Sequence, residues 1–177
     1  MRHGQSQANA NRIVAGHQDS PLSLFGREQA ARAGMALQRT LAIDLVVSSP
    51  MKRARQTAEI IATYLHYPQK KILILDNLEE RHLGELEGKS YDETPYGNGN
   101  VEGAESVAGI EPIAEFYKRV KAALAIIEHR PEKTIVVVCH NGVGRMLQVI
   151  AKGDQPIDIY KHPRLQNGAV YPLGNDN

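Results

Sequence analysis

Ile135-Val136-Val137-Val138-Cys139-His140-Asn141-Gly142-Val143-Gly144-Arg145 (IVVVCHNGVGR, residues 135–145) is the stretch from which the architecture can be read. It opens as a short unbroken apolar run rich in β-branched residues, the pattern of a strand buried on both faces. The polar pair His140-Asn141 ends the run, and the glycines beyond it lead into a helix. His140 therefore falls at the carboxyl edge of a strand, the edge at which α/β folds place their ligands.

Working outward, residues 43–49 (IDLVVSS) and 72–75 (ILIL) repeat the pattern, and AVYPL, ending at residue 173, is a weaker fourth candidate. Between them lie apolar residues spaced three or four apart: Ala30, Gly34, Leu37 and Leu41; Ala54, Ala58, Ile61 and Leu65; Ile113, Phe116, Val120, Leu124 and Ile127. That is helical periodicity. Strands alternating with helices predict an α/β fold: a three-layer α/β/α sandwich around a mostly parallel sheet, in one domain spanning residues 1–177. For the helix after residue 49, Ser49 is the expected N-cap and Pro50 the expected first helical residue. The polar, glycine-rich stretch from Gly88 to Gly109 (with Tyr96-Gly97-Asn98-Gly99-Asn100) reads as a loop over the site. Tyr91, Tyr96 and Glu102 are its candidates for substrate contact.

The chain has 177 residues, enough to bury a core without disulfides or a structural metal. Its 21 Lys and Arg nearly balance 20 Asp and Glu, so it lacks the basic excess of a nucleic-acid or anionic-membrane binder. A single cysteine, Cys139, rules out an intrachain disulfide and fits a reducing, cytoplasmic setting. No apolar run approaches the roughly 18 residues that span a bilayer, and the start, Met1-Arg2-His3-Gly4, does not read as a signal peptide. Only Met1 and Arg2 precede His3, although an α/β fold normally presents such a group at the end of a strand. The expectation is a start several residues upstream, or a sheet with its first strand truncated. An open edge of that kind could pair two copies as a homodimer.

Four clusters carry chemistry. Arg2-His3-Gly4-Gln5-Ser6 with Asn9 combines a guanidinium, an imidazole and a close-approach glycine, a composition suited to phosphate. Ser48-Ser49-Pro50-Met51-Lys52-Arg53 lies where a strand meets a helix, so free backbone donors coincide with Arg53. Lys52 and Arg55 read instead as a solvated face. Leu78-Glu79-Glu80-Arg81-His82 offers a carboxylate for general-acid work, although such a charged run usually belongs to the solvent. The fourth is His140-Asn141.

In order along the chain, RHGQSQAN, SPMKRARQTA, LEERHLGELEG and CHNGVGR together resemble the histidine phosphatase (phosphoglycerate-mutase-like) superfamily; Pro21-Leu22-Ser23 and Gly26-Arg27-Glu28 are similar to the segment leading into its first long helix. The resemblance implies a phosphomonoester hydrolase acting through phosphohistidine on a small phosphorylated metabolite. By resemblance, His3 is the nucleophile, Glu80 the acid, and Arg2, Asn9, Arg53 and His140 hold the phosphoryl oxygens, with Asn141 beside them. No metal and no cofactor is implied. Asn141 departs from the glycine common after the second histidine, a change Asn tolerates if the backbone there is left-handed.

Four rivals are weaker. Cys139 to Arg145 has the Cys-x5-Arg spacing of cysteine-dependent phosphatases, but that reading leaves the other clusters unexplained, and Cys139 is more simply a buried strand residue. The glycolytic mutases of the resembled family carry a longer insertion than residues 88–109, which favours a phosphatase. A binding-only module needs neither nucleophile nor acid. Gly97-Asn98-Gly99 lacks the third glycine of a dinucleotide loop.

Overall fold

The structure is a computed structural model and describes residues 1–95 and 105–173. Strand β1 (Leu45–Ser48) is central, with β2 (Leu73–Ile74) on one side and β3 (Ile135–Val138) on the other, all parallel. Helices α1 (Gln7–Ala10), α2 (Leu24–Thr40), α3 (Lys52–Tyr64), α4 (Ile113–Glu128) and α5 (Asn141–Lys152) complete the framework.

The alternation of side chains along β1 sorts the layers. Val46 faces Leu37 of α2 and Ala54, Ala58 and Ile61 of α3. Leu45 and Val47 face Phe116, Val120 and Leu124 of α4 and Val143, Met146 and Val149 of α5. Every residue of β1 is buried, as a strand covered on both faces must be. The expected three-layer α/β/α sandwich is therefore present, and the three long periodic segments are α2, α3 and α4. No helix of the described residues is long and apolar enough to cross a membrane.

The beginning of the chain runs beside β3. The Met1 ammonium donates to the Val137 carbonyl (2.6 Å), Cys139 N donates to the Met1 carbonyl (3.0 Å), and His3 N donates to the Cys139 carbonyl (2.9 Å). This is a single parallel bridge, Arg2 to Cys139, that brings His3 to the carboxyl edge of the sheet beside His140.

Some local expectations need correction. AVYPL is not a strand: Arg2 N reaches the Ala169 carbonyl (3.3 Å), but among the described residues no backbone ladder continues along 170–173, and Pro172 has no donor. The strand at ILIL shrinks to Leu73–Ile74. Helix α3 begins at Lys52 with Met51 as its N-cap and no side-chain cap bond, later than Ser49-Pro50 predicts. The Ser49 hydroxyl has other work, accepting from Met51 N (3.3 Å) and lying 2.8 Å from His140 Nε2. The polar stretch after Gly88 makes a short 3-10 turn at Tyr91–Glu93, while Tyr96, Glu102 and Gly97-Asn98-Gly99 lie outside the described residues.

Candidate active site

His3 sits in the irregular segment that follows the Arg2 bridge, and Gly4 lets that segment lie close against α2. A Cβ on Gly4 would run into the Gly26 carbonyl, so the loop and the start of α2 touch through backbone. Thr57 of α3 fixes the same segment: its hydroxyl accepts from Gly4 N (3.1 Å) and donates to the Arg53 carbonyl (2.8 Å). The imidazole is buried, with Nδ1 2.6 Å from the Gly4 carbonyl. A carbonyl can only accept, so Nδ1 carries the proton and Nε2 keeps its lone pair. Burial first, and then the Arg53 and Arg2 guanidiniums, hold the His3 pKa well below the usual histidine value. The ring is neutral across the physiological range, with a free lone pair at Nε2.

Arg53, on the first turn of α3, is also buried. Its guanidinium is spread among the Gly16 carbonyl (2.8 Å), the Gln18 carbonyl (3.1 Å) and His140, whose Nδ1 accepts from Nε at 3.2 Å. Accepting at Nδ1 leaves the His140 proton on Nε2, which donates to the Ser49 hydroxyl. Burial, then Arg53 and His3, keep the His140 pKa well below the usual value as well. The two imidazoles meet edge to face with centroids 5.1 Å apart. Arg2 donates to the Leu165 carbonyl (2.6 Å), while its Nε is buried without a partner among the described residues, a donor that an anion could satisfy.

Glu80 follows the turn after β2. One carboxylate oxygen accepts from Arg81 N (3.0 Å) and the other from Gly142 N (3.0 Å), in the first turn of α5. A Cβ at position 142 would strike that carboxylate and displace it, so glycine lets Glu80 keep this place. Asn141 is the first residue of α5 and lies in helical, not left-handed, backbone, which corrects the reason expected for its tolerance. Its Oδ1 accepts from Leu165 N (2.9 Å). Asn9 closes a capping box with Ser6, and its Oδ1 also accepts from Asn167 Nδ2 (3.2 Å).

These groups surround a cleft of about 230 Å³ walled by Arg2, His3, Asn9, Arg53, Glu80 and Asn141. His140 is fully buried and lies behind the wall rather than in it. Tyr91 from the expected loop reaches the cleft, as does Arg164. Cys139 does not line it: the thiol is buried, its pKa is pushed up by burial, and it donates to the Met1 carbonyl (3.6 Å). Arg145 turns away toward the Ile159 carbonyl. The Cys-x5-Arg reading fails on both residues.

A family model for the histidine phosphatase superfamily (branch 1) matches residues 1–177. The chain belongs to that superfamily. It is 37% identical over 157 residues to phosphoglycerate mutase-like protein 4 of Arabidopsis thaliana, covering 83% of this chain and 67% of that protein. To the uncharacterized phosphatase PhoE of Bacillus subtilis (strain 168) it is 32% identical over 163 residues, covering 87% of this chain and 77% of that protein. Among solved structures, the alpha-ribazole phosphatase from Shigella flexneri superposes with a TM-score of 0.78 at 26% identity, over 95% of this chain and 85% of that one. The protein is thus a phosphatase-type enzyme.

Sequence reasoning missed several parts of this histidine phosphatase site. Ser49 reads as a helix cap, and Thr57 only as part of a motif. Nothing in QNGAV or HPRL marks Asn167 or Arg164 locally. Arg81 belongs to a run that reads as solvated, yet it is buried, bidentate to Glu105 (2.8 Å at each nitrogen) and bonded to the Glu111 carbonyl. Lys52 and Arg55 are exposed, as expected.

Proposed function

We propose that this chain hydrolyses small phosphomonoesters through a phosphohistidine on His3. The observation that carries this reading is the His3 tautomer: with Nδ1–H tied to Gly4, the free Nε2 belongs to a neutral ring set between Arg2 and Arg53. Its lone pair attacks phosphorus, the ester P–O bond breaks, and Glu80 delivers a proton to the departing oxygen. Water then attacks the phosphohistidine, Glu80 takes a proton from it, the P–N bond breaks, and inorganic phosphate leaves with His3 restored. Arg2 and Arg53 hold the phosphoryl oxygens and offset their charge, with the Asn9 and Asn141 amides at the rim. His140 keeps Arg53 aimed from behind, since both its ring nitrogens are engaged.

A cleft of about 230 Å³ among the described residues falls below the usual range for drug-sized ligands and suits a small ester. The shortness of the 88–109 stretch in the sequence, with Tyr91 at the cleft, supports one domain and favours release to water over return to the substrate. The buried thiol of Cys139 is in keeping with a reducing, cytoplasmic setting.

The test is hydrolysis of 4-nitrophenyl phosphate with a chelator present, by the wild-type chain, His3→Ala and Cys139→Ser, with acid-labile, base-stable phosphate on the protein sought by rapid quench. Turnover and trapped phosphate lost with His3→Ala, and both kept with Cys139→Ser, is the expected pattern. Full turnover in His3→Ala would sink the mechanism.

A further inference from the structure

Glu80 lies in a stretch with no ladder of its own. After β2 the chain makes a 3-10 turn (Asp76–Leu78) and then runs irregularly, leaving partly buried carbonyls that need donors from elsewhere. Arg119 of α4 supplies them. Its Nη1 donates to the carbonyls of Asn77 (3.0 Å) and Glu79 (2.7 Å), and its Nη2 to the carbonyl of Glu80 (2.9 Å). The guanidinium is itself fixed by the Glu111 carboxylate (2.6 and 2.8 Å) and lies 4.8 Å over the Phe116 ring.

The bond to the Glu80 carbonyl matters most. That carbonyl and the N–H of Arg81 belong to one planar peptide unit, so holding one fixes the direction of the other. Arg81 N–H in turn donates to the Glu80 carboxylate (3.0 Å). His17 Nε2 donates to the same carbonyl at 2.6 Å. A rotation of the peptide would break these bonds together and swing the carboxylate away from Gly142.

We propose that Arg119 is a positioning residue for Glu80: by pinning the 80–81 peptide plane it aims the carboxylate at the departing oxygen without touching substrate. The proposal rests on Glu80 acting as the acid. A flat fork with five donors suits several carbonyls and a carboxylate at once, where the compact ammonium of lysine does not.

Proton delivery matters for a poor leaving group and little for a good one, which separates positioning from general damage. The experiment compares kcat/KM for glycerol phosphate with kcat/KM for 4-nitrophenyl phosphate in Glu80→Gln, Arg119→Gln, Arg119→Lys and Glu111→Gln, with thermal midpoints recorded. The glycerol phosphate to 4-nitrophenyl phosphate ratio is expected to fall about tenfold or more in Arg119→Gln, less in Arg119→Lys, and in the same direction in Glu111→Gln. An equal fall for both esters in folded Arg119→Gln, or no fall, overturns the proposal. Should Arg119→Gln not fold, the ratio in Glu111→Gln decides in the same way. A ratio unchanged in Glu80→Gln removes the acid reading and this proposal with it, whereas a ratio that falls in Glu80→Gln but not in the Arg119 variant removes the proposal alone.

Discussion

The imidazoles of His3 and His140 are of one residue type, both buried and both depressed in pKa, yet their hydrogen bonds make them different reagents. A carbonyl partner at Nδ1 frees Nε2 of His3; a guanidinium donor at Nδ1 of His140 does the opposite and commits its proton to Ser49. Arg53 acts electrostatically on both rings, and its bonds to Gly16, Gln18 and His140 need a rigid fork. Arg53→Ala is expected to lower kcat/KM for 4-nitrophenyl phosphate by about a hundredfold or more, the scale for losing one transition-state donor, and Arg53→Lys to recover little of it. Steady-state kinetics showing less than a tenfold loss in Arg53→Ala would remove it from the phosphate site.

At the scale of elements, the start of α5 does two jobs: it follows β3 directly, and its second residue donates a backbone N–H to Glu80. Gly142→Ala would push a methyl into the Glu80 carboxylate and to 3.4 Å from the Phe116 ring. The expected result is a selective loss on alkyl phosphates with 4-nitrophenyl phosphate less affected, read from the same pair of kcat/KM values; equal losses would mean that the helix start, not the acid, had moved. The helices and central strands were legible because their apolar spacing is local and strong. The start of α3 was not, because Ser49 looks like a cap in one dimension but faces His140, 91 residues away, in three. Arg81 misled for a related reason: its partners Glu105 and Glu111 are far enough along the chain that LEERHLGELEG reads as a solvated run.

For the whole molecule, burying two neutral histidines ties stability to pH. The unfolded chain takes up a proton at each near the ordinary value of 6.5, while the folded chain resists. The unfolded state therefore binds more protons below that value, and stability falls as pH falls. The contribution is complete above about pH 7 and is lost downward at up to about 1.4 kcal/mol per pH unit for each ring. Denaturant midpoints from pH 7.5 to 5 should decline, and the decline should be shallower in His3→Ala; a flat or rising profile would contradict the buried neutral state. The α/β/α layering was readable from alternating strands and helices, whereas the pairing of Asn167 with His3 and Asn9 was not, since no spacing in the sequence joins positions so far apart.

That pairing also bears on how the cleft would come apart. Arg2 leans on the carbonyl of Leu165, while Asn167 bonds the His3 carbonyl and the Asn9 amide. No strand of the sheet takes part in these bonds, so a local opening of residues 165–167 would release Arg2, His3 and Asn9 together while the sheet stays paired. The cleft can thus lose its shape well before the molecule loses its fold.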